Sequence, residues 1–218
     1  MIAPLLGIYT LSVFALLMSE LREQRLAQSI FKLLAGLCFI ALAVWVGAFE
    51  TLYTSLIVAA LIASFIGDIC LLKPGRGRAF LAGMLFFAAA HILYIFALAE
   101  WGFKPWWVWA LLPSAAVGLF AFRMMRANIP DGLRLSTAIY CIIIALMGCF
   151  AALATWHSGH GIFAIAAGCF IISDIFVARH RFTPIEDQKL LAGLRNYLLI
   201  TPLYFFAQAL FALSVGLA

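Results

Sequence analysis

The sequence predicts an all-α, polytopic membrane protein of eight transmembrane helices, and three observations carry that prediction. Of the 218 residues, 67% are hydrophobic and only 11% are charged, far from the roughly 45–50% and about 25% of soluble domains. The apolar residues fall into eight long runs parted by short loops, each near the ~20 residues that cross a bilayer. No alternating ten-residue pattern marks barrel strands, and inside lipid only helices and closed barrels satisfy their own backbone. One transmembrane domain, residues 1–218, accounts for the whole chain. It leaves no soluble domain, so any chemistry has to happen within the helix bundle.

The first run, 2–18, has neither a positive leader nor a small-residue cleavage site, which predicts a retained helix and not a signal peptide. The second covers 30–49 and the third 52–72, where Lys73-Pro74-Gly75-Arg76-Gly77-Arg78 stops it. The fourth covers 79–99 and the fifth 105–124. Asn128-Ile129-Pro130-Asp131-Gly132 separates the fifth from the sixth, 134–155. The seventh, 160–178, leads to Thr183-Pro184-Ile185-Glu186-Asp187, where Thr183 or Asp187 would cap the eighth, 194–217.

A formal net charge of +5 would point to nucleic acid in a soluble protein. Here the basic residues sit in alternate short loops, which is a topology signal, and no nucleic acid is expected as a partner. Arg22 and Arg25 mark the first loop, Lys73, Arg76 and Arg78 the third, and Arg123, Arg126 and Arg134 flank the fifth. Arg179, Arg181, Lys189 and Arg195 mark the seventh, whereas the opposite loops hold only Lys104. The odd loops are therefore expected in the cytoplasm and both termini outside, with a bacterial inner membrane as the expected location. Trp45, Trp101, Trp106, Trp107, Trp109 and Trp156 fall near the other interface.

Against this background two acids stand out. Asp68 lies in Ala63-Ser64-Phe65-Ile66-Gly67-Asp68-Ile69-Cys70, and Asp174 in Cys169-Phe170-Ile171-Ile172-Ser173-Asp174-Ile175-Phe176. Each follows a small residue near the end of an apolar run and precedes a basic loop. A carboxylate in hydrocarbon costs several kcal/mol, so an intramembrane acid marks function by default. The third and seventh helices run the same way, so the two acids fall at similar depth and are expected to meet in one cavity toward the cytoplasmic leaflet.

The fourth and eighth helices also correspond. Leu81-Ala82-Gly83 matches Leu191-Ala192-Gly193, and Tyr94-Ile95-Phe96-Ala97 matches Tyr204-Phe205-Phe206-Ala207 at the same offset. Two four-helix halves of one orientation are expected, with a site at their interface.

Buried polar groups need partners, and several are placed to serve the acids. Ser64 is four residues before Asp68 on one helix face, and Gly67 admits a close neighbour. Ser173 adjoins Asp174. His91 and Tyr94 share a face, as do Tyr204 and Gln208, with Asn196 and Tyr197 one to two turns earlier. Lys32 and Tyr140 sit at corresponding inner levels of the second and sixth helices. Each has a plainer role open to it: Lys32 as a snorkelling cation, the tyrosines as packing aromatics, Ser64 bonded back to its own helix, His91 as a satisfied core histidine. Asp68 and Asp174 could form a structural pair with Lys32 or a nearby Arg, but the acids resist a purely structural role best, because a second buried acid is hard to justify that way.

Other chemistries lack their residues. Of His91, His157, His160 and His180, only His91 with the two aspartates gives three ligands, so no metal is expected. Cys38, Cys70, Cys141, Cys149 and Cys169 lie in apolar stretches with no CxxC pair and read as packing residues. No Gly-x-Ser-x-Gly elbow and no phosphate-binding glycine loop occurs, and no cofactor is expected.

The layout, with Ser64-x-x-Gly67-Asp68, His91-x-x-Tyr94, Ser173-Asp174 and Tyr204-x-x-Ala207-Gln208 in that order, resembles the YhhN-type lysoplasmalogenase family over nearly the whole chain. The resemblance implies hydrolysis of the vinyl ether bond of a lysophospholipid held in membrane lipid. Its products would be a fatty aldehyde and glycerophosphoethanolamine or glycerophosphocholine. The family's essential aspartates would be Asp68 and Asp174. The chemistry suits two carboxyls: one protonates the terminal alkene carbon, an oxocarbenium ion follows, and the other activates water, much as glycosidases manage a related cation. Ile66, Gly67 and Ile69 point to Asp68 as the acid and Asp174 as the base. His91, Tyr94 and Tyr204 would hold water or the leaving oxygen, and Lys32 with the inner arginines the phosphate. A proton-coupled transporter or lipid-binding protein is the alternative, with the acids relaying protons. It needs polar groups along a path to both faces, whereas here they cluster in the inner half.

Overall fold

The computed structural model describes residues 2–73, 75, 77–102, 108–182 and 199–218, the side chains of 108–110 excepted. The described residues form α-helices joined by turns and short 3-10 segments, with no strand among them. The helices are α1 (Ala3–Leu21), α2 (Arg25–Gly47), α3 (Leu52–Leu71), α4 (Arg78–Ala99), α5 (Val108–Met125), α6 (Arg134–Ser158), α7 (Ile162–Phe182) and α8 (Thr201–Ser214). Six of them, α1 to α4, α6 and α7, are long and apolar enough to cross a membrane. The expected caps Thr183 and Asp187 and the repeat segment Leu191-Ala192-Gly193 lie outside the described residues.

The surface explains the composition. Leu11, Phe14, Leu26, Phe120, Leu135 and Trp156 are exposed, with many other large apolar side chains. Water does not tolerate so much apolar surface on one small protein, and lipid does. The interior is tight: a Cβ on Gly118 of α5 would stand 2.6 Å from the Cys141 carbonyl oxygen of α6. Only glycine lets those two backbones meet, the usual small-residue device of membrane helix pairs.

Local chemistry sets the helix ends. Thr51 opens α3 with a capping box: its Oγ1 accepts from the Thr54 amide at 3.2 Å, and Thr54 Oγ1 accepts from the Thr51 amide at 3.0 Å. Gly159, at φ 77, takes the left-handed turn that ends α6. α1 and α7 run about a turn beyond their expected ends. In α7 the extra turn carries Arg179, His180 and Arg181, cations that suit the negative end of the helix dipole.

Aromatic contacts fix the helix directions. Trp101, just past α4, packs on Tyr53 at the start of α3 (5.6 Å between centroids) and on Phe163 at the start of α7 (5.1 Å). At the other end Phe80, at the start of α4, meets Phe182, at the end of α7 (6.1 Å). So α3 and α7 are parallel, and the aspartates near their C-terminal ends share one level. Trp45 and Trp156 lie near the ends of α2 and α6, at the Trp101 end of the bundle. α1 packs on α2, α3 on α4, α5 on α6 and α7 on α8, while α4 meets α6 and α2 meets α8.

Candidate functional site

α3 buries Asp68 almost completely; 2% of its side chain is exposed. Lys32, reaching from α2, places Nζ 2.9 Å from Asp68 Oδ1, and Tyr204, from α8, donates its hydroxyl to Oδ2 at 2.5 Å. Both carboxylate oxygens are therefore occupied, one by a cation. An ion pair of this kind survives burial only with such additional bonds. Lys32 is itself 25% exposed, so its stem covers apolar surface while its ammonium seals the acid.

Asp174 of α7 is more open, at 15% exposed. Tyr140 of α6 donates to its Oδ2, and His91 Nε2 of α4 lies 3.2 Å from the same oxygen and 3.0 Å from the Tyr140 hydroxyl. Among the described residues Oδ1 has no hydrogen-bond partner. His91 Nδ1 is buried and also without one. The neutral tautomer protonated at Nε2 fits this best: its hydrogen points at Asp174 and Tyr140, and no N–H is stranded in apolar surroundings.

The two acids line one cavity of about 450 Å³. Phe170 of α7 lies against both of their ring partners, 4.6 Å from His91 and 5.4 Å from Tyr204 between centroids. Phe87, 5.8 Å from Tyr204, completes that wall. A Cβ on Gly67 would stand 2.8 Å from the Phe87 ring, so this glycine seats the ring. On the other side the cavity has an apolar arm walled by α5, α6 and, through Ile171 and Ile175, α7. Val117, Gly118 and Ala121 line it from α5, and Ile144, Ala145 and Gly148 from α6. From Tyr140 to Gly148 the arm rises about 12 Å along the helix.

A second, more polar cavity of about 510 Å³ adjoins the first. Leu16, Glu20, Lys32 and Thr201 border both. Arg25, Gln28, Ser29, His180 and Arg181 line only the second among the described residues. It lies at the helix ends that carry the basic loops.

The structure therefore brings together Lys32, Asp68, Tyr140, Asp174 and Tyr204 on the cavity wall, with His91 directly behind Asp174. Ser173 also reaches the cavity, but its hydroxyl donates to the Ile200 carbonyl at 2.9 Å and ties α7 to the start of α8. Tyr94 and Gln208 lie in the packed core instead. Tyr94 donates to Gln208 Oε1 at 2.7 Å and stacks on Phe211 at 3.9 Å. Ser64 is also wholly buried in α3, outside the described lining. Asn196 and Tyr197 lie outside the described residues. Sequence reasoning missed Glu20, Thr137 and Thr201. Thr201 Oγ1 lies 3.0 Å and 3.1 Å from the two Glu20 oxygens. Ending the first run at 18 consigned Glu20 to a loop. Thr137 carried a readable signal, since it shares a helix face with Tyr140 three residues on.

Comparison with known proteins gives a family and several relatives. The chain is 30% identical over 165 residues to lysoplasmalogenase TMEM86B of Sus scrofa, a match covering 75% of this chain and 65% of that protein. It is 40% identical over 77 residues to the Homo sapiens protein of that name, covering 35% and 31%. With the Rattus norvegicus protein it shares 32% over 111 residues, covering 51% and 45%. The matched segments thus span less than two thirds of these relatives. No solved structure matches. The sequence pattern of the YhhN family matches residues 27–215, a stretch that holds both aspartates and all their partners, and the chain belongs to that family.

Proposed function

We propose that the protein hydrolyses the vinyl ether bond of lysoplasmalogen lipids, releasing a fatty aldehyde and glycerophosphoethanolamine or glycerophosphocholine. The observation that carries this reading is the lining of one cavity by two carboxyls, one ion-paired and one bonded only to neutral groups, beside an apolar arm for a chain. The relatives named lysoplasmalogenase give it its substrate class. Asp174 is the acid. Its open Oδ1 carries the proton and delivers it to the alkene carbon β to the ether oxygen, while Tyr140 and His91 hold Oδ2. Asp68 remains a carboxylate under Lys32 and Tyr204. Its charge stabilises the oxocarbenium ion and takes a proton from the attacking water. The hemiacetal then collapses to aldehyde and alcohol, and the proton held by Asp68 passes back to Asp174. These roles reverse the order expected from the apolar neighbours of Asp68, because Lys32 arrives from a different helix. The same reading includes eight spans in two four-helix halves, with the basic loops in the cytoplasm.

The test is aldehyde release from a 1-alkenyl lysophospholipid by protein purified in detergent. The wild type releases aldehyde. Asp68→Asn and Asp174→Asn each lower the rate by at least about 10²-fold, within the range for positioned acids and bases. A wild type that binds the lipid and releases no aldehyde overturns the hydrolase reading. Retention of most activity by either variant overturns the paired mechanism.

A further inference from the structure

Helix hydroxyls in this protein have partners as a rule. Thr10, Ser12, Ser29, Ser55 and Ser158 each donate to the carbonyl four residues back. Ser64, outside the cavity lining, and Thr137 depart from the rule, and only Thr137 borders the cavity. It is 4% exposed, its Oγ1 has no hydrogen-bond partner among the described residues, and it lines the cavity that holds both acids. The Leu133 carbonyl, four residues back, is taken by Ser136 at 3.0 Å. The other described hydroxyls on that wall are engaged: Tyr140 with Asp174, Tyr204 with Asp68, Ser173 with Ile200 and Thr201 with Glu20. A buried hydroxyl left unpaired is costly; Oγ1 lies just beneath the cavity surface, and a turn about χ1 to another staggered rotamer would present it to a ligand hydroxyl.

Position says which ligand atom. Along α6, Gly148, Ala145 and Ile144 line the apolar arm, Tyr140 marks the level of Asp174, and Thr137 lies about 4.5 Å further toward the helix start. α7 joins α6 through a short turn at residues 159–161, so its C-terminal end, with His180 and Arg181 of the polar cavity, lies at that same end of the bundle. The order is chain, reacting bond, hydroxyl, then polar head. A glycerolipid with a free secondary hydroxyl has its groups in that order.

We propose that Thr137 binds the free glycerol hydroxyl of the substrate and thereby selects lysolipids over lipids whose second position is blocked. This rests on the hydrolase reading for its substrate class. The selection is of the kind a buried polar group imposes: a ligand lacking the matching group strands it and is rejected.

Two measurements separate this proposal from that reading. The first is binding of a radiolabelled, non-hydrolysable 1-O-alkyl lysophosphocholine and of its 2-deoxy analogue to the purified protein. The wild type holds the hydroxylated probe about tenfold more tightly, a typical value for one hydrogen bond whose loss strands a partner. Thr137→Val binds the two equally, and Thr137→Ser restores most of the difference. The second is aldehyde release from the corresponding alkenyl lipids, with the same pattern in kcat/KM. Hydroxyl preference without aldehyde leaves the subsite standing and removes the hydrolase. Aldehyde release with no hydroxyl preference in the wild type, or with the preference unchanged in Thr137→Val, overturns the subsite and leaves the hydrolase. The wild-type comparison does not depend on any variant folding.

Discussion

Asp68 and Asp174 sit on parallel helices at one level, and their surroundings differ in kind. Asp68 is sealed: a cation on one oxygen, a phenol on the other, 2% exposed. Asp174 is half-open: a phenol and an imidazole crowd one oxygen, and the other has no partner among the described residues. Each acid draws one partner from the adjoining helix, Lys32 of α2 or Tyr140 of α6, and one across the bundle, Tyr204 of α8 or His91 of α4. The layout is the same and the chemistry is not: lysine stands against tyrosine on the adjoining helix, and tyrosine against histidine across the bundle. Two carboxyls in one pocket thus acquire separate environments from their neighbours.

That contrast is breakable. Lys32→Met leaves Asp68 buried without its cation, and we expect about 3–5 kcal/mol of destabilisation, measured by unfolding in mixed detergent. Tyr140→Phe removes a neutral donor from a half-open acid that still has His91, and should cost only about 1 kcal/mol. It should nevertheless slow aldehyde release roughly tenfold to a hundredfold, because the acid loses its orientation. Equal stability losses in these two variants would abolish the distinction between the sites. Gly67→Ala pushes a methyl against the Phe87 ring, at a cost of about 1–3 kcal/mol. The ring moves toward the cavity, so lipid affinity should fall along with stability. Tyr94→Phe is the mildest. It leaves Gln208 short of a donor, costs about 1 kcal/mol, and should leave aldehyde release unchanged, since Tyr94 lies behind the cavity wall.

The sequence made the helices legible because lipid imposes so blunt a rule on composition and length. It made both acids legible for the same reason, since nothing else explains their cost. The sorting of polar residues was less legible. Tyr204 and Tyr94 occupy matching places in their segments, yet one bonds Asp68 and the other Gln208. Which face of α4 or α8 turns to the cavity depends on helix rotation, which a nearly uniform apolar sequence does not encode. The partners of each acid were hidden for a related reason: local neighbours such as Ile66 and Ile69 say nothing of a lysine 36 positions before Asp68 that arrives from another helix.

The helix before the family match has a consequence of its own. The family match covers residues 27–215, but α1 lies ahead of them and contributes Leu16 and Glu20 to both hollows. It is fastened at Tyr9, whose hydroxyl donates to the Phe205 carbonyl next to the residue that binds Asp68, and at Ser19, whose carbonyl accepts from Gln28 at 3.1 Å. A version of the protein trimmed to the shared core would lose a rampart and not a tail. Acyl chains of the bilayer could then flood in beside Lys32, so anyone shortening this protein for crystals should begin upstream of residue 3.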